Sequence, residues 1–396
     1  MKLSSPTALL INLGHAIDHW VLAIFLYTVS VIAGVWGADW KELTPYAFGA
    51  SFMFGAGSLV SGKLGDSWGR RNMMVVFFAG MGVSCLLIAL CNTRWEIGAA
   101  LTVMGAFSSI YHPVGIPMIV QGSDRPGFVI GVNGLVGNLG VAIGASLSVL
   151  LATRYGWQMA YIVPGIISLI AAVVFAKVVP KEMESPAKRK AKMLDMPPNM
   201  MARVFFIMTC AAVTGSIVFN FTTNSNGEML KARFEELAAD PGLLSLVLFG
   251  VFTVASLAQL LVGHLIDRHP LKAVYLPILL AQIPLFLLAA YAEGWTLVFV
   301  TGLFMIFVFG AIPFTDAMIV RYVDDRLRSR VTGMRLAIGF GVSSLVVAGI
   351  GPSVKAAGFP FMLTSLAGVA ACTMLAISFL PSEKDVHAST ALKPAE

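Results

Sequence analysis

Charge is what this chain of 396 residues has least of. Only 12% of its residues are Asp, Glu, Lys or Arg, against 57% hydrophobic residues. Soluble globular proteins carry about 25% charged residues. The shortage excludes a disordered chain, a nucleic-acid-binding domain and an ordinary cytosolic enzyme. Cysteine is scarce as well: Cys85, Cys91, Cys210 and Cys372 lie in or beside apolar runs, with no C-x-x-C pair and no zinc spacing, and are expected as packed thiols. No phosphate-binding loop is present, so ATP is not expected to drive the protein directly. Neither a nucleophile elbow, an H-E-x-x-H pair nor a redox-cofactor motif appears, so neither an enzyme nor a cofactor is expected. The segment before the first apolar run is too short for a signal peptide, and that run is expected as a retained first helix.

What is there is apolar sequence in pieces of membrane length. A spanning helix takes about 20 residues, and twelve such stretches alternate with polar punctuation. The second is expected at 43–64, and the last two at 329–352 and 358–380. The expected fold class is therefore an all-α membrane protein with twelve transmembrane helices. The organisation reads as a six-helix bundle at 1–179, a linker at 180–200, a second six-helix bundle at 201–383 and a tail at 384–396. The net charge is +6, but placement matters more than the sum. With the N-terminus in the cytoplasm, twenty of the 27 Lys and Arg residues fall at cytoplasmic ends and loops, six on the other side, and Arg335 within a span. This positive-inside bias places both termini in the cytoplasm. The basic linker reads as an orientation signal in contact with anionic lipids, with no nucleic-acid partner.

The halves repeat one another. Gly62-Lys63-Leu64-Gly65-Asp66 matches Gly263-His264-Leu265-Ile266-Asp267, Pro113 matches Pro313, and Gly131 and Gly137 match Gly333 and Gly339, all at shifts of 200 to 202. A shared shift points to a duplicated six-helix unit.

Few ionisable groups remain inside the spans, and such groups face a cavity or a partner as a rule. His15, Asp18 and His19 share one face of the first helix, with Asn12 a turn earlier. His112 in the fourth span lies at similar depth. Three readings stay open for this cluster: a proton-coupling site, a structural network joining spans one and four, and a transition-metal pathway through His15, Asp18, His19 and His112. In the second half, Asp316 and Arg335 sit at comparable depth on consecutive helices. They suit a gate pair, an anion-binding Arg with its partner, or a static bridge. Arg326, Arg328 and Arg330 with Asp324 and Asp325 read as a solvated loop.

The stretch Gly62-Lys63-Leu64-Gly65-Asp66-Ser67-Trp68-Gly69-Arg70-Arg71 closely resembles the loop signature of the major facilitator superfamily, lacking only the common Arg after the Asp. The resemblance implies two pseudo-symmetric six-helix bundles around a central cavity, with Gly62, Asp66, Gly69, Arg70 and Arg71 as a gating loop. The second copy has Asp267 and Arg268 but no second glycine. Tyr111-His112-Pro113, the Gly-rich run Gly131 to Gly140 and Gly14-His15-Ala16-Ile17-Asp18-His19 resemble the fosmidomycin-resistance-type branch. The expected function is a bacterial inner-membrane secondary transporter, proton-coupled and functional as a monomer, with export implied by that branch resemblance. His15, Asp18, His19, His112, Asn133, Asp316 and Arg335 would then serve coupling or the cavity, with a small molecule or ion as substrate. A metal or metal-chelate permease and a non-transporting assembly protein are the alternatives.

Overall fold

A computed structural model describes residues 3–189 and 197–382, and among these there is no strand. The expected tail at 384–396, and Lys190 and Lys192 of the linker, lie outside the described residues. Twelve long helical segments carry the fold. In the first half they are α1 (Pro6–Trp36), α2 (Phe48–Ser67), α3 (Arg70–Ala89), α4 (Arg94–Val120), α5 (Pro126–Tyr155) and α6 (Met159–Val178). In the second they are α7 (Pro198–Arg233), α8 (Pro241–Arg268), α9 (Leu271–Tyr291) and α10 (Gly294–Tyr322). A final stretch, Arg328–Ser378, breaks at Gly358 (φ 74°) into α11 (328–357) and α12 (359–378). The fold is thus the expected all-α membrane fold of twelve helices in two pseudo-symmetric sets of six. Among the described residues, ten helical stretches meet the length and apolarity of a membrane span, by composition alone. The Gly- and Ser-rich α2 falls short of that apolarity.

Local chemistry sets the helix ends. The Ser5 hydroxyl accepts from Ala8 N (3.2 Å) ahead of Pro6 in α1. Thr93 and Glu96 form a reciprocal capping box at α4. The Asp240 side chain accepts from Gly242 N and Leu243 N (2.8 and 3.0 Å) at α8. Two helices are interrupted at equivalent places: α4 between Ser108 and Tyr111, and α10 between Gly310 and Pro313. Pro113 and Pro313 follow these breaks. A proline ring lacks the N–H and clashes with the carbonyl four residues back.

The chain packs as two units. The first comprises residues up to Asp124, Asn133 to the linker, and Val323–Phe340. The second comprises Arg125–Val132, the linker to Tyr322, and Gly341 onward. The first turns of α5 therefore belong to the second unit and the first turns of α11 to the first, an exchange absent from the sequence boundaries. In the first unit α2 and α3 both pack extensively on α4; in the second, α8 and α9 pack likewise on α10. The repeat seen in sequence is thus a repeat of packing. Many large apolar side chains remain exposed, among them Phe52, Phe206, Phe249 and Leu345. Such surfaces suit hydrocarbon as solvent. Cys85 and Cys91 are buried, but Cys372 is exposed on α12, so the packed-thiol expectation fails there.

Candidate functional site

The first half's motif builds a helix cap. Asp66, fully buried at the end of α2, accepts from Ser329 N through Oδ1 (3.2 Å) and from Arg330 N through Oδ2 (2.9 Å). Those are first-turn N–H groups of α11, which have no partner within their own helix. The backbones approach so closely that a Cβ on Gly62 would lie 2.4 Å from the Ser329 carbonyl oxygen. Arg70, also fully buried, donates to Asp66 (3.4 Å), to Asp325 (2.7 Å) and to the Ser329 hydroxyl (3.0 Å). An unpaired guanidinium buried to this degree would cost several kcal/mol, and two carboxylates relieve it. Arg71 turns the other way. Its guanidinium donates to the carbonyls of Val179 (2.8 Å) and Ala176, capping the end of α6. Gly69 makes the turn between α2 and α3 at φ 111°, a conformation that favours glycine.

Asp325 also takes Arg189 of the linker (2.8 Å), and Arg189 pairs with Glu182 (3.0 Å). The loop expected to be solvated is therefore in part a hub: Asp325 is held by Arg70, Arg189 and Arg328, while Asp324 pairs with Arg326. Burial pushes the Asp325 carboxyl upward, but Arg70, then Arg328 and Arg189, outweigh it and hold it below the usual carboxylate range. Charge runs alone could not reveal this, because Arg70 lies 255 positions from its partner.

The second unit repeats the cap. Asp267 accepts from Gly127 N (2.6 Å) and Phe128 N (2.8 Å), at the start of α5. These donors precede Ser329 and Arg330 by 202 positions, the shift found in sequence. The missing second glycine of the C-terminal copy does not prevent the contact.

The polar cluster forms where α1, α4 and α5 meet inside the first unit. The break in α4 directs Tyr111 and His112 toward α1. The Tyr111 hydroxyl donates to Ile11 O (3.0 Å), and Asn133 Nδ2 donates to Tyr111 Oη and to Asn12 Oδ1 (both 2.8 Å). His15 Nδ1 lies 2.7 Å from the Asn133 carbonyl. A carbonyl only accepts, so Nδ1 carries the hydrogen and Nε2 presents its lone pair. That Nε2 is buried without a hydrogen-bond partner among the described residues. Tyr111 stacks on the His15 ring at 4.7 Å. His19 and His112 meet the same ring at 4.6 and 5.0 Å between centroids. Asp18, fully buried, accepts from the Ser108 hydroxyl through Oδ1, and its Oδ2 lies 3.7 Å from His112 Nε2.

Of the residues singled out in sequence, His15, Asp18, His19, His112 and Asn133 come together here. Arg335 lies on α11 in the same unit. Asp316 is buried in the second unit. Tyr111 and Ser108 were missed. Tyr111 adjoins His112 in sequence and stands out there only as part of a motif. Ser108 carried no signal, since a lone serine in a span usually bonds its own helix.

The sequence profile described as Major Facilitator Superfamily matches residues 9–230 and 216–395, each half by itself. The chain belongs to that superfamily. Among curated relatives, the multidrug resistance protein MdtG of Serratia proteamaculans is 24% identical over 62% of this chain, and the 4-hydroxybenzoate transporter PcaK of Pseudomonas aeruginosa is 30% identical over 35% of it. The matches span 61% and 32% of those proteins' own lengths. Among solved structures, the proton:xylose symporter XylE has a TM-score of 0.77 at 13% identity, covering 97% of this chain and 98% of that one. The Escherichia coli fucose:proton symporter FucP has a TM-score of 0.73 at 14% identity, covering 95% and 98%. At such identities the likeness is one of fold.

Proposed function

We propose that this protein is a secondary active transporter that moves a small solute across the bacterial inner membrane by alternating access, exporting it in exchange for protons. It would act as a monomer with both termini in the cytoplasm. The observation that carries the reading is Asp18: a carboxylate fully buried in a chain with few buried charges, held by Ser108 and facing His112. Buried ionisable groups at bilayer depth belong to transport and proton paths as a rule.

In this reading Asp18 and His112 hold and release the coupling proton, while His15 and His19 extend the polar path along α1. Asn133 orients His15 and ties α5 to α1, so solute binding against α5 is felt at the proton site. Arg335 attracts an anionic group, and Asp316 is a further buried ionisable group for the transport path. The caps at Asp66 and Asp267 hold the starts of α11 and α5, and their release is the step that opens the cytoplasmic side. Export is supported by the resemblance of three motifs to the fosmidomycin-resistance-type branch and by similarity to a multidrug resistance protein. The positive-inside distribution supports the orientation.

The test is solute flux in proteoliposomes under an imposed pH gradient. Flux should follow the gradient and lose its pH dependence in Asp18→Asn. Flux indifferent both to the gradient and to Asp18→Asn would overturn the coupling.

A further inference from the structure

The three imidazoles do more than a proton path requires. The candidate ligand atoms of His15, His19 and His112 all lie within 4.8 Å of one another, drawn from two helices. A metal–nitrogen bond of about 2.0–2.1 Å sets tetrahedral neighbours about 3.4 Å apart. The longest separation must therefore shrink by about 1.4 Å, within the sweep of an imidazole turning about its side-chain torsions.

The surroundings supply the outer groups that a metal-binding histidine needs. The Asn133 carbonyl holds Nδ1–H of His15, which fixes the tautomer and turns Nε2 toward the other two rings. That nitrogen is buried and has no hydrogen-bond partner among the described residues, a costly arrangement for a polar atom. Tyr111 stacked on the ring holds its plane. Gly137 leaves room for it: a Cβ there would meet the ring at 2.6–2.9 Å. Asp18 stands behind His112 with one oxygen unbonded, able to offset part of a cation's charge or to serve as a fourth donor. Neutral imidazoles with one carboxylate favour borderline divalent ions over the hard oxygen-seeking ones.

We propose that His15, His19 and His112 form a binding site for a divalent transition-metal cation of the zinc, cobalt or nickel kind, with Asn133 and Asp18 as positioning residues. The inference rests on the transporter reading only in naming what the same site would carry. Binding itself is a separate property, measurable at equilibrium.

The experiment is titration of the full-length, detergent-purified protein with Co2+, read by visible ligand-field absorption and by displacement with Zn2+. A single Co2+ should bind with the intense bands of a low-coordinate nitrogen site. Asn133→Ala and Asp18→Asn should weaken it about 10–100-fold, as loss of an orienting partner does. His19→Gln and His112→Gln should weaken it further. The partly exposed His19 provides the variant least prone to misfolding, and elution volume and helical content check each one. Absence of the bands in the wild type would overturn the site, as would equal Co2+ affinity in the wild type and both glutamine variants. Proton-driven flux measured without metal keeps the two readings apart. Lost Co2+ binding with flux intact overturns the cation site alone; bound Co2+ without any proton-driven flux supports the site and overturns the coupling.

Discussion

Removing the Asp66 carboxylate should destabilise the protein more than removing its structural counterpart Asp267, by an amount that follows from the contacts. Both side chains accept from two first-turn N–H groups, at 3.2 and 2.9 Å for Asp66 and at 2.6 and 2.8 Å for Asp267. Loss of a helix cap costs about 0.5–2 kcal/mol. Asp267 is partly exposed, so water can reach the freed donors, and Asp267→Ala should cost about 1–2 kcal/mol. Asp66 is fully buried and also faces the buried Arg70. Breaking a buried ion pair outright costs about 3–5 kcal/mol, but Arg70 keeps Asp325 at 2.7 Å. Asp66→Ala should therefore cost about 2–4 kcal/mol, above the cap loss and below a full pair. Asp66→Asn should fall between the wild type and the alanine variant, because its amide oxygen still accepts one N–H while its NH2 opposes the other. The assay is unfolding of the detergent-purified protein, by heat and by denaturant, with the variants side by side. Asp66→Ala as stable as wild type, or Asp267→Ala the more damaging of the two, would refute the reasoning from burial.

Gly137→Ala should move the His15 imidazole, because the new methyl would lie 2.6–2.9 Å from three ring atoms and the Asn133 carbonyl limits retreat. Co2+ affinity should fall by about tenfold or more, read in the same titration, with a stability loss of about 1–3 kcal/mol from the crowded ring. Acid should loosen the Asp325 hub only at low pH. Its folded-state value lies below the unfolded carboxylate value of about 3.9, so its stabilisation is full above that value and is lost as pH falls through the folded one. The stability difference between wild type and Asp325→Asn should stay constant from about pH 8 to pH 5 and shrink below about pH 4; a difference that fades near neutrality would contradict the assignment.

Much of the fold was legible because membrane helices announce themselves over some twenty residues and need no knowledge of their neighbours. The repeat was legible for a related reason: Gly62 and Gly263 serve the same close approach, so the same residue type recurs at the same shift. His15, Asp18 and His19 were visible as a cluster because the helical period places them on one face. The partners of Asp325 were not, and charge density suggested solvent where the structure has Arg70 and Arg189.

By itself the amino-acid sequence determined the solvent, the number and length of the helices, the duplicated half and the handful of polar groups with reason to be buried. These follow from local composition and period, which a chain carries wherever it packs. Only the tertiary structure decided that Asp66 caps α11 and Asp267 caps α5, that Asn133 sets the tautomer of His15, and that three histidines converge. Lipid is as apolar as the helix faces it surrounds, so hydrophobicity cannot choose which helix meets which. That choice rests on small residues and hydrogen-bonding groups tens to hundreds of positions apart in the chain.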